Sequence, residues 1–437
     1  MGDLAGRDLL RRIWARLDAR LNHTGPEPVA LALSGGGDSL ALLDLAGGWA
    51  KARGRRLLAL TVDHNLHPDS ADWTRFAAEA ARTAGADWRG LAWQGARGGP
   101  GVPARARAAR HALLAEAARK AGARVILTGH TADDVAEGDW MRAQGATLGR
   151  LREASPSPAW PEGRGLLLLR PVLGEGRETL RDHLRARGLT WLEDPANADL
   201  RYGRGRARAA LALAQAEGPA ASSATIACAS AAHEPGDQAW AGVLSLSRDL
   251  PASMLAAVLL CAGGGATPPR GDRLAALRAR LADGEDFTAV LCGARVEASG
   301  AHVQAMREPG EWKRRPPAAL ALTPGRPAVW DGRFEIVTDQ SGLRVEAAAG
   351  RLAQLSDVER AVLAPLPPAA RAAAPVLIDP EGRPVLAWRG ACVRALASRR
   401  LALALAAFGG ETTQEDGLFQ TLHGETPPSD LFSEKDC

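Results

Sequence analysis

Short apolar runs and segments of helical period alternate from residue 29 to residue 188, and this alternation constrains the fold more than any other feature of the chain. The runs are Val29–Leu33, "RLLALTVD" (56–63), "DWRGLAW" (87–93), "RVILTG" (124–129) and "GLLLLRPV" (165–172). Between and after them lie helical segments at 39–52, 68–85, 103–122, 131–144 and 177–188. The second of these has Asp69 or Ser70 as its cap and Gly85 as its stop; the third opens on Pro103 and ends at Gly122. A helix after every strand leaves no place for a hairpin, so the strands are expected to run parallel with helices on both faces. The fold class is therefore α/β, a doubly wound Rossmann-like sheet.

Ligands of such sheets bind beyond the carboxyl ends of the strands. Three polar clusters fall there: Ser34–Asp38, Asp63-His64 and Gly129–Asp134. The first, "SGGGDS", sits between a strand and a helix as a phosphate loop would, yet has no lysine and places Asp38 at its rim. A Walker loop is thus excluded. A dinucleotide fingerprint has Leu40 where its third glycine belongs, although Asp63 stands where a ribose-binding acid would, so that reading keeps some weight. A serine elbow fails because Ala32 replaces its first glycine. What remains is a nest. Gly35, Gly36 and Gly37 let successive N–H groups converge at the positive end of a helix, and Ser34 and Ser39 add hydroxyls. Such a nest suits a pyrophosphate, and Asp38 would repel it unless Mg²⁺ lay between them. The competing reading is that Asp38 only caps the helix.

"SGGGDS" is similar to the SGGxDS loop of the PP-loop, or N-type, ATP pyrophosphatases, and within that superfamily the chain resembles the tRNA(Ile)-lysidine synthases. The supporting segments occur in order: "TVDHNLHPDSADW", "ARARAARH", "TGHTADDVAE", "LLRPVL" and "WLEDPANADLRYGRGRAR". The likeness is detailed over residues 28–209 and only approximate beyond. Departures are Gly138 where the family has threonine after Glu137, His111 in place of tyrosine, Pro103 in place of glutamate and Gly205 in place of asparagine. None touches the loop or the acids.

The resemblance implies an enzyme, a ligase that adenylates the wobble cytidine of a CAU-anticodon isoleucine tRNA with ATP, releases pyrophosphate, and then lets the amine of free L-lysine displace AMP. Carried onto this chain, Ser34, Gly35, Gly36, Gly37, Asp38, Ser39, Asp63 and His64 bind ATP, with Asp38 on Mg²⁺. Arg107 and Arg110 clamp phosphates or the adenylate, and His130 contacts the α-phosphate or moves a proton. Asp134 and Glu137 hold the ammonium of lysine, Asp134 also assisting its deprotonation, while Asp133 faces away or caps its helix. Arg204, Arg206 and Arg208, with Asn197 and Asp199 upstream, steer tRNA; a solvated basic helix is the competing reading.

The remaining sequence bounds the partners. A net charge of +4, carried almost wholly by arginine, permits a nucleic-acid partner but also suits a GC-rich coding bias. Five scattered cysteines make no metal or disulfide pattern and lack the pair that a cytidine thiolase, the nearest rival, would need. An amide ligase that uses glutamine or ammonia would share the loop, and so would a non-catalytic RNA-binding relative. No signal core and no apolar stretch of ~18 residues appear, so a cytosolic protein without a membrane partner is expected. The oligomeric state stays open, a homodimer being one option. The expected domains are a catalytic one over 1–215, a mainly helical tRNA-binding one over 216–315, an α+β one over 316–408 and an acidic disordered tail over 409–437. Within them "FTAVLCGARVEASGAHVQAMRE" reads as a hairpin, "RPAVWDGRFEIVT" as strand, turn, strand, and Trp330 as core.

Overall fold

A computed structural model describes residues 2–95, 98–99, 101–146, 148–193, 203–217, 237–313, 318–409 and Glu415. Asn197, Asp199, the segment 218–232, Arg314, Arg315 and the acidic tail beyond Gly409, apart from Glu415, lie outside the described residues. The chain divides into two compact units, Met1–Ala229 with Ala406–Phe419 and Ser230–Leu405 with Gln420–Cys437.

The first unit opens on α1 (Gly2–Asp18), whose Leu9, Ile13 and Leu17 make a fully buried i, i+4, i+8 stripe amid charged neighbours. The alternating region follows: β1 (Val29–Ala32), α2 (Gly37–Arg53), β2 (Leu57–Asp63), α3 (Ser70–Thr83), β3 (Asp87–Ala92), α4 (Val102–Lys120), β4 (Val125–Leu127), α5 (Ala132–Ala143), β5 (Ala154–Pro156), β6 (Leu167–Leu169), α6 (Arg177–Ala186) and α7 (Gly203–Glu217). The strands form a six-stranded sheet in the order β3-β2-β1-β4-β6-β5. All pairings are parallel except that of the short edge strand β5, which returns antiparallel along β6 and has no apolar run to announce it. The α/β fold expected from the alternation is therefore present.

Burial explains why two faces are covered. Ala30, Leu58, Leu60, Ile126 and Leu168 share one face with Leu114, Ala115 and Ala118 of α4. Their strand neighbours Val29, Leu31, Ala59, Leu127 and Leu169 point the other way and are equally buried. Sequence order reverses between β1 and β4, which fixes the switch point and hence the binding edge of the sheet.

One contact in this unit comes from far along the chain. Arg55 Nη1 and Nη2 donate to Glu415 Oε2 and Oε1 at 2.9 and 3.0 Å, with side chains 0% and 1% exposed. Glu415 also accepts from Asn22 N (3.0 Å), and its own N–H donates to Arg20 O (2.9 Å). The expectation of a tail free of the fold does not extend to this residue.

The second unit is built from antiparallel sheets. β7 (Leu244–Leu246), β8 (Phe287–Leu291), β9 (Ala294–Ser299) and β10 (His302–Arg307) form one in the order β7-β10-β9-β8, with helices α8 (Ala252–Gly263) and α9 (Asp272–Ala282). The expected hairpin is thus a three-stranded meander. Its first turn, Cys292-Gly293, has both φ positive at 56° and 77°, the mirror-image geometry that matches strand twist. "AVW" and "FEIV" pair as β11 (Ala328–Trp330) and β12 (Phe334–Val337), as read from the sequence. Trp330 is 2% exposed and packs with Trp312 and Phe334 in the core.

Removing one partner of a buried pair leaves the other charge uncompensated, which typically costs about 3–5 kcal/mol. Glu415→Gln is therefore expected to lower the stability of the first unit by an amount of that order, read by urea unfolding. A change within error of zero would show that the tail contact does not hold in solution.

Candidate active site

The loop after β1 is shaped by what packs against it. Gly35 has φ +85°, the left-handed region, and a Cβ there would lie 2.7 Å from Leu192 Cδ1. Leu192 N donates to Gly35 O (3.0 Å) and pairs with Gly36 as a parallel bridge, so the segment after α6 closes one side of the loop. On the other side Gly129, just past β4, runs against backbone: a Cβ there would meet Asp38 O at 2.9 Å and Ser39 N at 3.1 Å. The Ser39 hydroxyl is spent within the loop, donating to Gly36 O (2.9 Å) and accepting from Ser34 N (3.2 Å), with Ser34 Oγ 3.0 Å away. Ser39 thus sets the shape of the turn. Gly36 occupies the N-cap of α2 without a capping side chain, and the first-turn N–H groups remain open to an anion.

Asp38 does not cap that helix. Its Oδ2 accepts from Arg177 Nε at 3.1 Å, and burial raises its carboxyl above the ordinary value against the opposing pull of Arg177. The same guanidinium reaches Glu137 Oε1 through Nη1 (3.3 Å) and Nη2 (3.4 Å). Asp134 caps its own helix, its Oδ2 accepting from Thr131 N (2.9 Å) and Thr131 Oγ1 (3.2 Å), while Oδ1 accepts from Arg204 Nη1 (2.8 Å). Burial pushes the Asp134 carboxyl up, but the Thr131 N–H, His130, Arg204 and Arg177 outweigh it and hold the group below its ordinary value. Glu137 takes Arg208 Nε on Oε1 at 2.6 Å, and its Oε2 is buried with no hydrogen-bond donor among the described residues, Arg204 Nη1 lying 3.7 Å away. Asp133, expected to face away or cap α5, instead accepts from the backbone N–H of Arg177 at 2.7 Å and so caps α6.

A further group of cations adjoins these acids, Arg107 within electrostatic reach of both Asp134 and Arg204. Arg107 and Arg110 on α4 form no ion pair with a carboxylate among the described residues. Burial, then Arg107 and Arg204, lowers Arg110 to about 10; burial and Arg107 lower Arg170 to about 10. Arg170 Nη1 is held by Arg152 O (2.8 Å) and Ser155 Oγ (3.0 Å). The two histidines among them are neutral. Burial, reinforced by Arg110 and Arg107, takes His111 to about 3, and burial with Arg170 takes His130 to about 4. His130 Nδ1 lies 3.1 Å from Thr128 Oγ1. At the end of β2, Asp63 Oδ1 accepts from Asn65 N (2.7 Å), and His64 packs edge-on to Trp93 with Nδ1 buried and without a hydrogen-bond partner among the described residues. Burial and Arg110 lower His64 as well.

The site residues named from the sequence therefore fall into two groups around the loop, with Arg204 and Arg208 turned inward onto the acids and Arg206 exposed to solvent. Sequence reasoning missed Arg177 and Arg170. A signal for Arg177 existed: a cation at the first position of a helix opposes the macrodipole and needs another reason to be there. Arg170 stood inside the quoted "LLRPVL" without a role.

The PP-loop domain family model matches residues 9–215. A tRNA(Ile)-lysidine synthase from Caulobacter vibrioides is 48% identical over 377 residues, 85% of this chain and 89% of that protein. The chain belongs to the tRNA(Ile)-lysidine synthase family. Its relatives from Hyphomonas neptunium and Ruegeria pomeroyi, of the same name, are 35% and 32% identical over 68% and 79% of this chain and 86% and 85% of their own lengths. Family membership and the resemblance read from "SGGGDS" thus agree.

The histidines make the unit acid-sensitive. Their folded pKa values lie below the ordinary 6.5, so the unfolded chain takes up protons first. Their contribution is complete above pH 6.5 and declines as pH falls toward 4, by up to about 1.4 kcal/mol per pH unit for each group. His111→Gln is expected to flatten the fall in urea-unfolding stability between pH 7 and 5. An unchanged slope would show that His111 is not held neutral.

Proposed function

We infer that the chain is an ATP-dependent ligase that joins free L-lysine to the 2-carbon of the wobble cytidine in the CAU-anticodon isoleucine tRNA. The observation that carries this reading is the set of charges beside the glycine nest: Arg107 and Arg110, buried and in no ion pair with a carboxylate among the described residues, and a buried carboxylate oxygen, Glu137 Oε2, that has no hydrogen-bond donor among them and only Arg204 Nη1 at 3.7 Å. A buried polar atom left unsatisfied is costly, so a group that supplies a donor there gains affinity.

In the first half-reaction the cytidine 2-oxo group attacks the α-phosphate of ATP and pyrophosphate departs. The α2 N-terminus and Gly35–Gly37 grip the β- and γ-phosphates where charge develops, with Arg107 and Arg110 as counter-charge beside them. Asp38 would hold Mg²⁺. One partly exposed carboxylate beside phosphate oxygens is the usual magnesium donor set, and no cluster of three or more ligating side chains occurs among the described residues. Bound there, the ion would neutralise the leaving pyrophosphate.

In the second half-reaction the lysine amine attacks the activated carbon and AMP leaves, both electrons of the carbon–oxygen bond going with it. Glu137 and Asp134 anchor the lysine ammonium. Because Asp134 is held ionised by its Thr131 and Arg204 partners, it serves as an anion more than as a base. His130, held neutral with its pKa taken to about 4, serves to hydrogen-bond and position the reacting groups more than to take a proton. A cytidine thiolase is not favoured: among the described residues the cysteines are Cys261, Cys292 and Cys392, all in the other unit. No helix among the described residues is long and apolar enough to cross a membrane, and a tRNA substrate suits a cytoplasmic enzyme.

Incubation with ATP, radiolabelled lysine and purified tRNAs is expected to place lysine in the CAU isoleucine tRNA with release of AMP and pyrophosphate. AMP formation without lysine entering tRNA overturns the reading. Glu137→Gln is expected to raise the lysine KM by roughly tenfold or more while tRNA adenylation persists, since a charge-assisted bond is lost. Equal loss in both half-reactions would remove Glu137 from lysine binding.

A further inference from the structure

Arg177 is surrounded by carboxylates although it starts a helix, the end where a cation is disfavoured. Nε donates to Asp38 Oδ2 (3.1 Å), Nη1 lies 3.3 Å from Glu137 Oε1, and Nη2 lies 3.8 Å from Asp134 Oδ1. Its backbone N–H is fixed on Asp133 Oδ2 (2.7 Å). The helix behind it is fixed as well: His183 Nε2 lies 2.8 Å from Asp44 Oδ2, and Arg187 Nη2 donates to Asp44 Oδ1 at 3.2 Å. Asp44 and Asp38 share α2, so the starts of α2 and α6 are held at a set spacing and Arg177 is delivered to Asp38 by rigid elements. The Asp38 and Arg177 side chains remain 25% and 19% exposed, enough for an ion to enter between them.

We propose that Arg177 is a positioning residue that acts as the internal counter-cation of Asp38, and that a divalent cation gains this carboxylate by displacing the guanidinium onto Glu137 and Asp134. The proposal rests on the reading of Asp38 as the magnesium ligand. It follows that a bare cation binds weakly, because it must evict a like charge. A cation that arrives with a triphosphate brings negative charge that offsets its repulsion with Arg177. Arg177 thereby couples cation binding to nucleotide binding and keeps the acids from closing on a free ion.

The test is Mn²⁺ titration of the full-length chain without nucleotide, followed by electron paramagnetic resonance of the free ion. Arg177→Gln is expected to bind Mn²⁺ roughly tenfold more tightly than the wild type, as removal of an opposing part-buried charge should allow. Arg177→Lys, which keeps the charge, is expected to stay nearer the wild type, and Asp38→Asn added to Arg177→Gln should abolish the gain. Equal Mn²⁺ affinity in wild type and Arg177→Gln, with Asp38 required in both, overturns the displacement and leaves Asp38 as a ligand. Binding that ignores Asp38 in every variant overturns both readings. Should Arg177→Gln fold poorly, the side-chain Nε–H resonance of Arg177 in the wild type serves instead. It is expected to shift when Mg²⁺ and a non-hydrolysable ATP analogue are added, and an unmoved resonance overturns the proposal.

Discussion

The close passage of Gly129 against the backbone of Asp38 and Ser39 is the contact on which the rest of the site depends. It occurs because β1 and β4 are neighbours at the point where strand order reverses. Two chain segments that leave the sheet at that point diverge to form a cleft, and here they touch first. The touch brings α2, with its open N–H groups, beside α5, with Asp134 and Glu137. A side chain at Gly129 would force the loop away by several tenths of an ångström or more, since the atoms it meets are backbone. The α2 N-terminus and the Asp134–Glu137 pair would then no longer lie side by side.

From that contact the site separates charge. The carboxylates are satisfied from within by Arg177, Arg204 and Arg208, whereas Arg107 and Arg110 pair with no carboxylate among the described residues. The arginines lose affinity for their protons through burial and mutual repulsion, and the histidines beside them stay neutral. Such a region is stabilised by any anion that enters. Among the acids, Glu137 Oε2 has no hydrogen-bond donor among the described residues, so a donor entering there adds stability. The two halves ask for opposite ligands.

Much of this was legible in the sequence because it follows from local rules. Apolar runs of four to seven residues between helical segments fixed the alternation, and glycines in sequence announced a nest. The resemblance to the PP-loop family was legible in "SGGGDS" together with the supporting segments that follow it in order. What was not legible depended on pairs distant in sequence. Arg177 lies 139 residues from Asp38, and no periodicity predicts that contact. Asp133 and Asp134 are adjacent and alike, so which of them caps α5 and which caps α6 depends on where α6 arrives. The burial of Glu415 against Arg55, 360 residues apart, belongs to the same class. Ser39 stands where a phosphate ligand is expected, and its hydroxyl donates to Gly36 O in the turn that it closes, a contact that its position alone does not reveal.

The carboxylate at the rim of an anion-binding loop is explained by the charges around it. Asp38 lies in the first turn of α2 with Arg177 on its Oδ2, where on the proposed reading an entering cation would compete with that guanidinium. With Arg177 in place the rim is neutral and the nest can accept phosphate without repulsion. On the reading proposed above, a cation in place of Arg177 would make the rim positive and hold a departing pyrophosphate more firmly. A lysine in the same position could supply only the second state, permanently. Exchangeable charge at the rim suits a reaction in which the terminal phosphates must be held during one step and released before the next.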